Sequence, residues 1–166
     1  MRRLFTLLTL GLLFALPAKS EILTLEWDDL RPEAERHLPL MPENPHAAFP
    51  FADESEFGPM DWTQKFGAVV PEINGKQVRV PGFVVPLEGT QTHVTEFLLV
   101  PYFGACLHAP PPPPNQTIYV VSEEPIKLSD LAQAVWIEGT LQTEVKTSEL
   151  ADAAYVVQLD QLEEYY

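Results

Sequence analysis

The amino-acid sequence predicts an all-β domain preceded by an irregular arm, and three observations support this fold class. After about residue 61, apolar and polar residues alternate with a period of two, which is typical of half-buried strands. Helical patterning is confined to residues 130–133 and 148–152, windows too short for a stable amphipathic helix. Between residues 21 and 60, the prolines are spaced too closely for any long helix.

Five strand candidates follow the arm, at residues 78–85, 94–100, 117–121, 135–141 and 155–159. The first is expected to bend at Pro81-Gly82 through a bulge or a corner, because proline cannot donate to the strand ladder and glycine permits the bend. Gly82 and Gly139 stand inside strands, where a closed barrel needs tight curvature. The sequence therefore predicts a small five-stranded OB-like barrel over residues 61–166. A two-sheet β-sandwich stays open as the alternative, since both architectures bury alternate side chains.

The first 20 residues predict a secretory signal peptide. Two arginines precede an apolar run from Leu4 to Leu16, which is too short to span a bilayer. Small residues at Ala18 and Ser20 offer cleavage sites, and no cysteine stands near them to accept a lipid. The mature protein is therefore expected in the periplasm, without a membrane span.

Residues 21–60 form the predicted arm, which is acidic, rich in proline and extended. Its organised part runs from Leu25 to Pro32, and in this part Trp27 and Leu30 can pack against the domain. Pro32 ends the turn, because its ring does not fit a continuing helix. The chain is thus expected to be one domain with an arm, a size that suits a single core.

The charge of the chain is strongly negative. The full sequence has 10 basic and 24 acidic residues, and without residues 1–20 seven basic residues remain, for a formal charge of −17. This charge argues against nucleic acid as a partner, because phosphate contacts need clustered Lys and Arg. It is compatible with simple solubility and also with the attraction of cations.

The residues that carry chemistry are the only cysteine, Cys106, and the histidine two positions after it, His108. Residues two apart in an extended segment share a face, so the two side chains can grip one ion. Pro101 and the run Pro110–Pro114 stiffen the segment from both sides. A thiolate and an imidazole suit a divalent metal such as zinc, which needs one or two further ligands.

Glu88 and His93 are the candidates for the further metal ligands. Both lie on the connection before the strand that leads to Cys106, and neighbouring strand ends of a barrel converge on one rim. Glu96 is a weaker candidate, because strand alternation can turn it outward. The most specific function that these residues predict is a periplasmic binding protein that coordinates a divalent metal, plausibly zinc.

Other interpretations stay open. Cys106 can be a buried small hydrophobic residue, or the nucleophile of a thiol-dependent enzyme, although no second catalytic motif accompanies it. The five prolines predict a polyproline II helix, which is either a stiff spacer or the docking element of a protein-protein interaction module in the cell envelope. The expected partner is then an envelope protein or a transporter component. Tyr102 and Phe103 are expected to close the mouth of the barrel.

The chain resembles a family of small exported bacterial proteins catalogued as a domain of unknown function. Pro86-Leu87-Glu88, the segment from Glu96 to His108 and Pro110–Gln116 carry the resemblance, which extends roughly from Trp62 to Gln161. Its block from Phe97 to Gln116 is highly specific. A weaker match lies upstream at Trp27-Asp28-Asp29-Leu30. The resemblance implies an exported OB-like domain with no established reaction and a connection with bacterial zinc handling. Leu107 and Ala109 depart from the family pattern, in which bulkier or β-branched residues are expected.

Overall fold

The computed structural model describes residues 21–37, 68–90, 93–106, 111–127 and 133–165. The predicted signal peptide and residues 38–60 of the predicted arm lie outside this part of the chain, as does His108. Within the described ranges, no helix combines the length and the apolar character needed to cross a membrane.

The described part of the chain consists of strands and short 3₁₀ helices, without an α-helix. The strands are β1 (Leu23–Thr24), β2 (Lys76–Gly89), β3 (His93–Val100), β4 (Ile118–Lys127), β5 (Val135–Gln142), β6 (Lys146–Thr147), β7 (Asp152–Ala153) and β8 (Tyr155–Glu164). The 3₁₀ helices are Trp27–Leu30, Glu33–Glu35, Pro71–Ile73 and Pro114–Gln116. The predicted all-β class is confirmed.

Five of the strands close into a barrel. Their order is β2-β3-β4-β8-β5, and β5 pairs in turn with β2. β4 and β8 run parallel, whereas the other neighbouring pairs in the barrel are antiparallel. This closed order with one parallel pair is that of the OB fold, so the predicted barrel is confirmed and the β-sandwich alternative is wrong. β1 adds a sixth strand, parallel to β2.

The long strand β2 belongs to both halves of the barrel. It pairs with β5 as far as Gly82 and with β3 from Phe83 onward. At Gly82 a Cβ atom would lie 2.7 Å from Leu99 Cγ and 2.8 Å from the Val100 carbonyl oxygen, so only glycine fits. The corner predicted at Pro81-Gly82 is therefore a change of partner within one continuous strand. The register shifts of β2 occur later, on either side of Glu88.

Alternate side chains from every barrel strand point inward and form the main core. Among its fully buried members are Val80, Phe97, Val120, Ile137 and Tyr155. Because successive strand residues face opposite sides, the same strands leave every second side chain on the outside of the barrel. The period of two in the sequence therefore corresponds to side chains that alternate between the interior and the outer side of the barrel.

The described part of the arm, residues 21–37, covers one end of the barrel. Leu25 and Leu30 are buried and belong to the main core. The Tyr155 hydroxyl, also buried, donates to the Leu30 carbonyl oxygen at 2.8 Å. Burying a leucine side chain contributes about 1.5–3 kcal/mol, so the arm is part of the folded domain. The predicted anchoring role of Leu30 is what the structure shows.

Candidate functional site

The outer side of β2, β3, β4 and β8 carries a second apolar cluster, which we call the outer face. Val85, Leu98, Tyr119 and Val156 are successive cross-strand partners on these four strands. Residues of the 101–106 loop and of the segment around β7 pack against this row. The other members of the outer face are Phe83, Leu87, Val100, Tyr102, Ala105, Cys106, Val121, Leu150, Ala151 and Ala153.

Cys106 is the last described residue of the loop that follows β3. It is half-buried against the outer face. Its φ is 64°, and within the described ranges it is the one residue other than glycine with a positive φ. A left-handed backbone at a residue with a Cβ costs roughly 1–2 kcal/mol, so contacts around the loop must hold it. Burial raises the pKa of the Cys106 thiol from 9.0 to about 11, which leaves the thiol protonated at neutral pH.

Tyr102 and Phe103 do not close the barrel mouth as predicted. Tyr102 packs against the outer face, where burial and then the charge of a Cys106 thiolate raise the pKa of its phenol. Phe103 is 58% exposed, and its ring meets that of Phe83 edge to face with centroids 6.0 Å apart. The loop leaves β3 on the outer side of the sheet, so its aromatic residues pack there and not over the barrel interior.

Glu88 and Glu96 form a pair of carboxylates beside the outer face. They are register partners between β2 and β3. The Tyr119 hydroxyl donates to Glu96 Oε2. Burial, the bond to Glu96 and the charges of both carboxylates raise the pKa of Tyr119 from 10.0 to about 12. The Lys146 ammonium lies 5.3 Å from the centre of the Tyr119 ring.

The pairing of Glu96 with Tyr119 was not predicted from the sequence. The two residues are 23 positions apart, and they meet only because the register of β3 and β4 places Leu98 opposite Tyr119. Strand alternation did indicate that Glu96 turns outward. No local pattern identifies the tyrosine that it meets.

His93 is exposed and begins β3, opposite Lys127. Its backbone closes the turn from β2, since the Thr90 amide donates to the His93 carbonyl oxygen at 2.7 Å. Among the residues that the structure describes, no three His, Cys, Asp or Glu side chains are grouped closely enough to hold a metal ion. Glu88, His93 and Cys106 thus do not make a three-ligand site by themselves. A site that includes His108 lies outside the described residues and stays a prediction.

The proline run is built into the domain. Pro112 and Pro114 are buried. The Pro113 carbonyl oxygen accepts from the Gln116 amide at 2.8 Å, and the Pro114 carbonyl oxygen accepts from the Ala154 amide at 2.8 Å. A polyproline docking element needs an accessible run with a solvated backbone. The described prolines therefore support the stiff spacer and not the docking element.

The fold defines an all-β protein of the OB type, and Cys106 packs against the outer side of its barrel. Residues 27–164 match the family described as Protein of unknown function (DUF3299), and the chain belongs to this family. The chain is similar to the crystal structure of a DUF3299 family protein from Pseudomonas aeruginosa PAO1, at 37% sequence identity and a TM-score of 0.70. That match covers 89% of this chain and 98% of the other.

The curated proteins offer no match to this chain. The predicted membership in a family of unknown function is confirmed. The predicted connection with zinc handling and the predicted periplasmic location stay predictions.

Proposed function

We propose that this protein is an exported binding protein that takes a divalent cation, zinc in particular, at the loop that contains Cys106 and His108. The observation that supports the proposal is the backbone of Cys106. A residue other than glycine with a φ of 64° persists only where the surroundings over-determine it, and such strain concentrates at functional sites. Here the strained residue is also the only cysteine of the chain.

The chemistry of the thiol separates this proposal from the thiol-dependent enzyme. A nucleophilic cysteine needs a lowered pKa, whereas burial raises the pKa of Cys106 to about 11. A metal ion does not need a preformed thiolate, because it displaces the proton as it binds. Zinc then takes the sulfur at about 2.3 Å and an imidazole nitrogen at about 2.0 Å. Zinc affinity is therefore expected to rise about tenfold per pH unit while the free thiol stays protonated.

The net charge and the carboxylate pair of Glu88 and Glu96 beside the outer face support a cation as the ligand. The chain without residues 1–20 has a formal charge of −17, which raises the local concentration of cations. At most one of the two proposed further ligands, Glu88 and His93, shares the ion with Cys106, because no three of the described His, Cys, Asp and Glu side chains are grouped. Water then takes the open position. Each of the two is tested by its own substitution.

The experiment is a zinc titration of the mature protein without a histidine tag, read by competition with a chromophoric chelator. The parent is expected to bind one zinc per chain, and Cys106→Ser and His108→Ala to weaken binding by more than about 100-fold, since even indirect contacts to a zinc site cost 10–100-fold. His37→Ala, an exposed histidine of the arm, is the matched control and leaves the affinity unchanged. Unchanged zinc stoichiometry and affinity in both loop variants would overturn the proposal.

A second candidate function is a protein-protein interaction module of the cell envelope, and the exposure of Phe103 favours it. A phenylalanine that is 58% exposed beside Phe83 extends the outer face to the surface, and exposed apolar residues next to a larger cluster mark interaction sites. Phe103→Ser should then abolish cross-linking to an envelope protein or transporter component in intact cells. Ile22→Ser, at an arm position that is 44% exposed and is not a member of the outer face, is the control and should leave the cross-link intact.

A further inference from the structure

The arm contacts the barrel in the way that a bound peptide contacts its receptor. Leu23 and Thr24 of β1 pair with Val78 and Arg79 of β2, and the Leu25 amide donates to the Arg79 carbonyl oxygen at 2.9 Å. Adding a strand to a sheet is a recurrent mode of peptide recognition, in which backbone hydrogen bonds supply affinity and side-chain pockets supply specificity.

Two apolar side chains of the arm fill such pockets. Trp27 lies over Gly82, where even a Cβ atom would come within 3.0 Å of the indole ring. The indole nitrogen of Trp27 donates to the Pro81 carbonyl oxygen at 2.8 Å. Leu30, one turn further on, is fully buried. A tryptophan and a leucine three positions apart are therefore the anchors of the segment, and buried aromatic anchors dominate most interfaces.

Buried side chains of the barrel hold the backbone of the arm from the other side. Gln116 Nε2 donates to the Trp27 carbonyl oxygen at 2.7 Å, and the Tyr155 hydroxyl donates to that of Leu30 at 2.8 Å. Asn115 Nδ2 donates to Glu35 Oε2 at 2.8 Å. These three side chains are almost wholly buried. They bind backbone or a carboxylate at fixed points along the segment, which sets its register.

The arm also keeps its shape through contacts of its own. The Glu26 amide donates to Asp29 Oδ2 at 2.9 Å, and Arg31 Nη1 lies 3.3 Å from Asp28 Oδ1. Arg36 Nε donates to the Arg31 carbonyl oxygen at 3.2 Å. A segment organised by its own contacts loses less entropy when it docks.

We infer that this end of the barrel is a peptide-recognition site for the Trp27–Leu30 segment, which the chain fills with its own arm and which also accepts the arm of a second copy. Residues 38–67 separate the arm from the barrel in sequence, and a connection of 30 residues reaches at most about 100 Å. The tether therefore does not dictate which barrel an arm enters. Its own barrel is favoured only by local concentration.

The amide side chains of Asn115 and Gln116 hold one orientation at the site. Asn115 Oδ1 and Gln116 Oε1 are buried, and no donor reaches either of them in the described structure. Both amide nitrogens donate to oxygen acceptors, so the amides cannot simply be turned around. The two amide nitrogens thus bind the arm and its surroundings at fixed points.

The experiment uses the mature chain with a specific protease site placed between residues 50 and 60. After cleavage, gel filtration should show the arm still bound to the barrel. A fluorescent peptide of residues 21–37, the same segment as a second copy offers, should then replace it. A Trp27→Ala peptide should bind more than about 10-fold more weakly, as expected of a buried aromatic anchor. An Ile22→Ala peptide, changed at an exposed position, should bind like the parent peptide.

The outcomes decide the inference without reference to the metal site. Exchange that depends on Trp27 supports it. Unfolding of the cleaved protein in circular dichroism overturns it, because the arm is then an inseparable part of the fold. Failure of the labelled peptide to enter, or equal binding of the Trp27→Ala peptide, overturns it as well. Zinc binding at the Cys106 loop is measured on the same samples, and its loss or retention leaves this conclusion unchanged.

Discussion

The end of the barrel under the arm and the outer face bury apolar side chains to different degrees. Under the arm, Leu30 and Tyr155 are fully buried, and buried side chains bond the arm at defined points. On the outer face, Leu98 is equally buried, but Val156 in the same row is only partly buried, and the margin consists of half-buried Cys106, exposed Glu88 and a largely exposed Phe103. One region is closed by polar bonds, and the other is open along its edge.

This difference indicates that the two regions have different roles. Buried hydrogen bonds fix one arrangement of the backbone and are costly to leave unmade, so the arm end contributes to the stability of the domain. An edge with a strained cysteine, paired carboxylates and an exposed aromatic ring contributes little to stability. Perturbed groups of this kind are typical of ligand sites. Substitutions in the two regions should therefore have different consequences.

The largest expected effect comes from the arm end. Leu30→Ala removes a fully buried side chain and should lower the free energy of unfolding by about 2–5 kcal/mol. Urea unfolding measures the loss. Ile22→Ala, also in the arm but 44% exposed, should change stability by no more than about 0.5 kcal/mol. Equal losses in the two variants would show that the arm is not part of the cooperative unit.

The next effect is the slow alkylation of Cys106. A pKa raised from 9.0 to about 11 lowers the thiolate fraction near pH 8 by about 100-fold, equivalent to about 2.7 kcal/mol. Iodoacetamide kinetics between pH 7 and 12 should show an apparent pKa near 11 in the folded protein and near 9 in urea. Fast alkylation of the folded protein at pH 8 would contradict the burial of this thiol and revive the enzyme alternative.

Tyr155→Phe should cost about 1–3 kcal/mol, because the Leu30 carbonyl oxygen and the Val70 amide both lose their partner. The hydroxyl also makes stability depend on pH. Burial, and then the charges of Glu35 and Glu72, raise the pKa of Tyr155 from 10.0 to about 12, against the opposing bond from Val70.

Because the pKa of Tyr155 is higher in the folded chain than in the unfolded chain, this hydroxyl stabilises the fold fully below pH 10. The stabilisation is lost as the pH rises from 10 through 12, since the unfolded chain releases its proton first. The Tyr155→Phe variant should therefore lose less stability than the parent between pH 10 and 12 in urea unfolding. Tyr119→Phe, on the outer face, should show the same smaller loss of stability between pH 10 and 12, because the pKa of Tyr119 is also raised to about 12. Parallel pH curves for the parent and the Tyr155→Phe variant would argue against burial of this hydroxyl.

The barrel could be predicted because its evidence is local. Period-two alternation marks each strand, and Gly82 and Gly139 mark places without room for a side chain, where a Cβ would meet Leu99 or collide with the Gln158 carbonyl oxygen. The bulge or corner predicted at Pro81-Gly82 falls where β2 changes its pairing partner. A change of pairing partner within one strand depends on β5, more than 50 residues later, and no local pattern reports it.

The candidate site was harder to predict for the same reason. The loop with Cys106 could be singled out by its composition, and the positive φ supports that choice. The side of the sheet on which the loop packs is set by tertiary contacts, so Tyr102 and Phe103 were misplaced at the barrel mouth. Glu96 met Tyr119 through strand register alone. Residues brought together by pairing across strands need the topology before they can be named.

The smallest expected effect tests the electrostatics of the outer face. Glu88 lies opposite Glu96, and like charges directly opposite each other on neighbouring strands are destabilising. Glu88→Gln removes this repulsion while it leaves the bond from Tyr119 to Glu96 in place. The free energy of unfolding should rise by about 0.2–1 kcal/mol at low salt. The gain should shrink at about 1 M salt, where the Debye length is about 3 Å and the repulsion between the two carboxylates is screened.

The matched control is Glu149→Gln, which removes an exposed carboxylate outside the barrel strands and should leave stability unchanged. Zinc sharpens the comparison. If Glu88 is a ligand, the variant that is more stable in the absence of metal becomes the less stable one when zinc is added, because a bound ion stabilises the state that binds it. If Glu88→Gln raises the free energy of unfolding and zinc does not reverse this gain, Glu88 is not a zinc ligand. The two carboxylates then only repel each other.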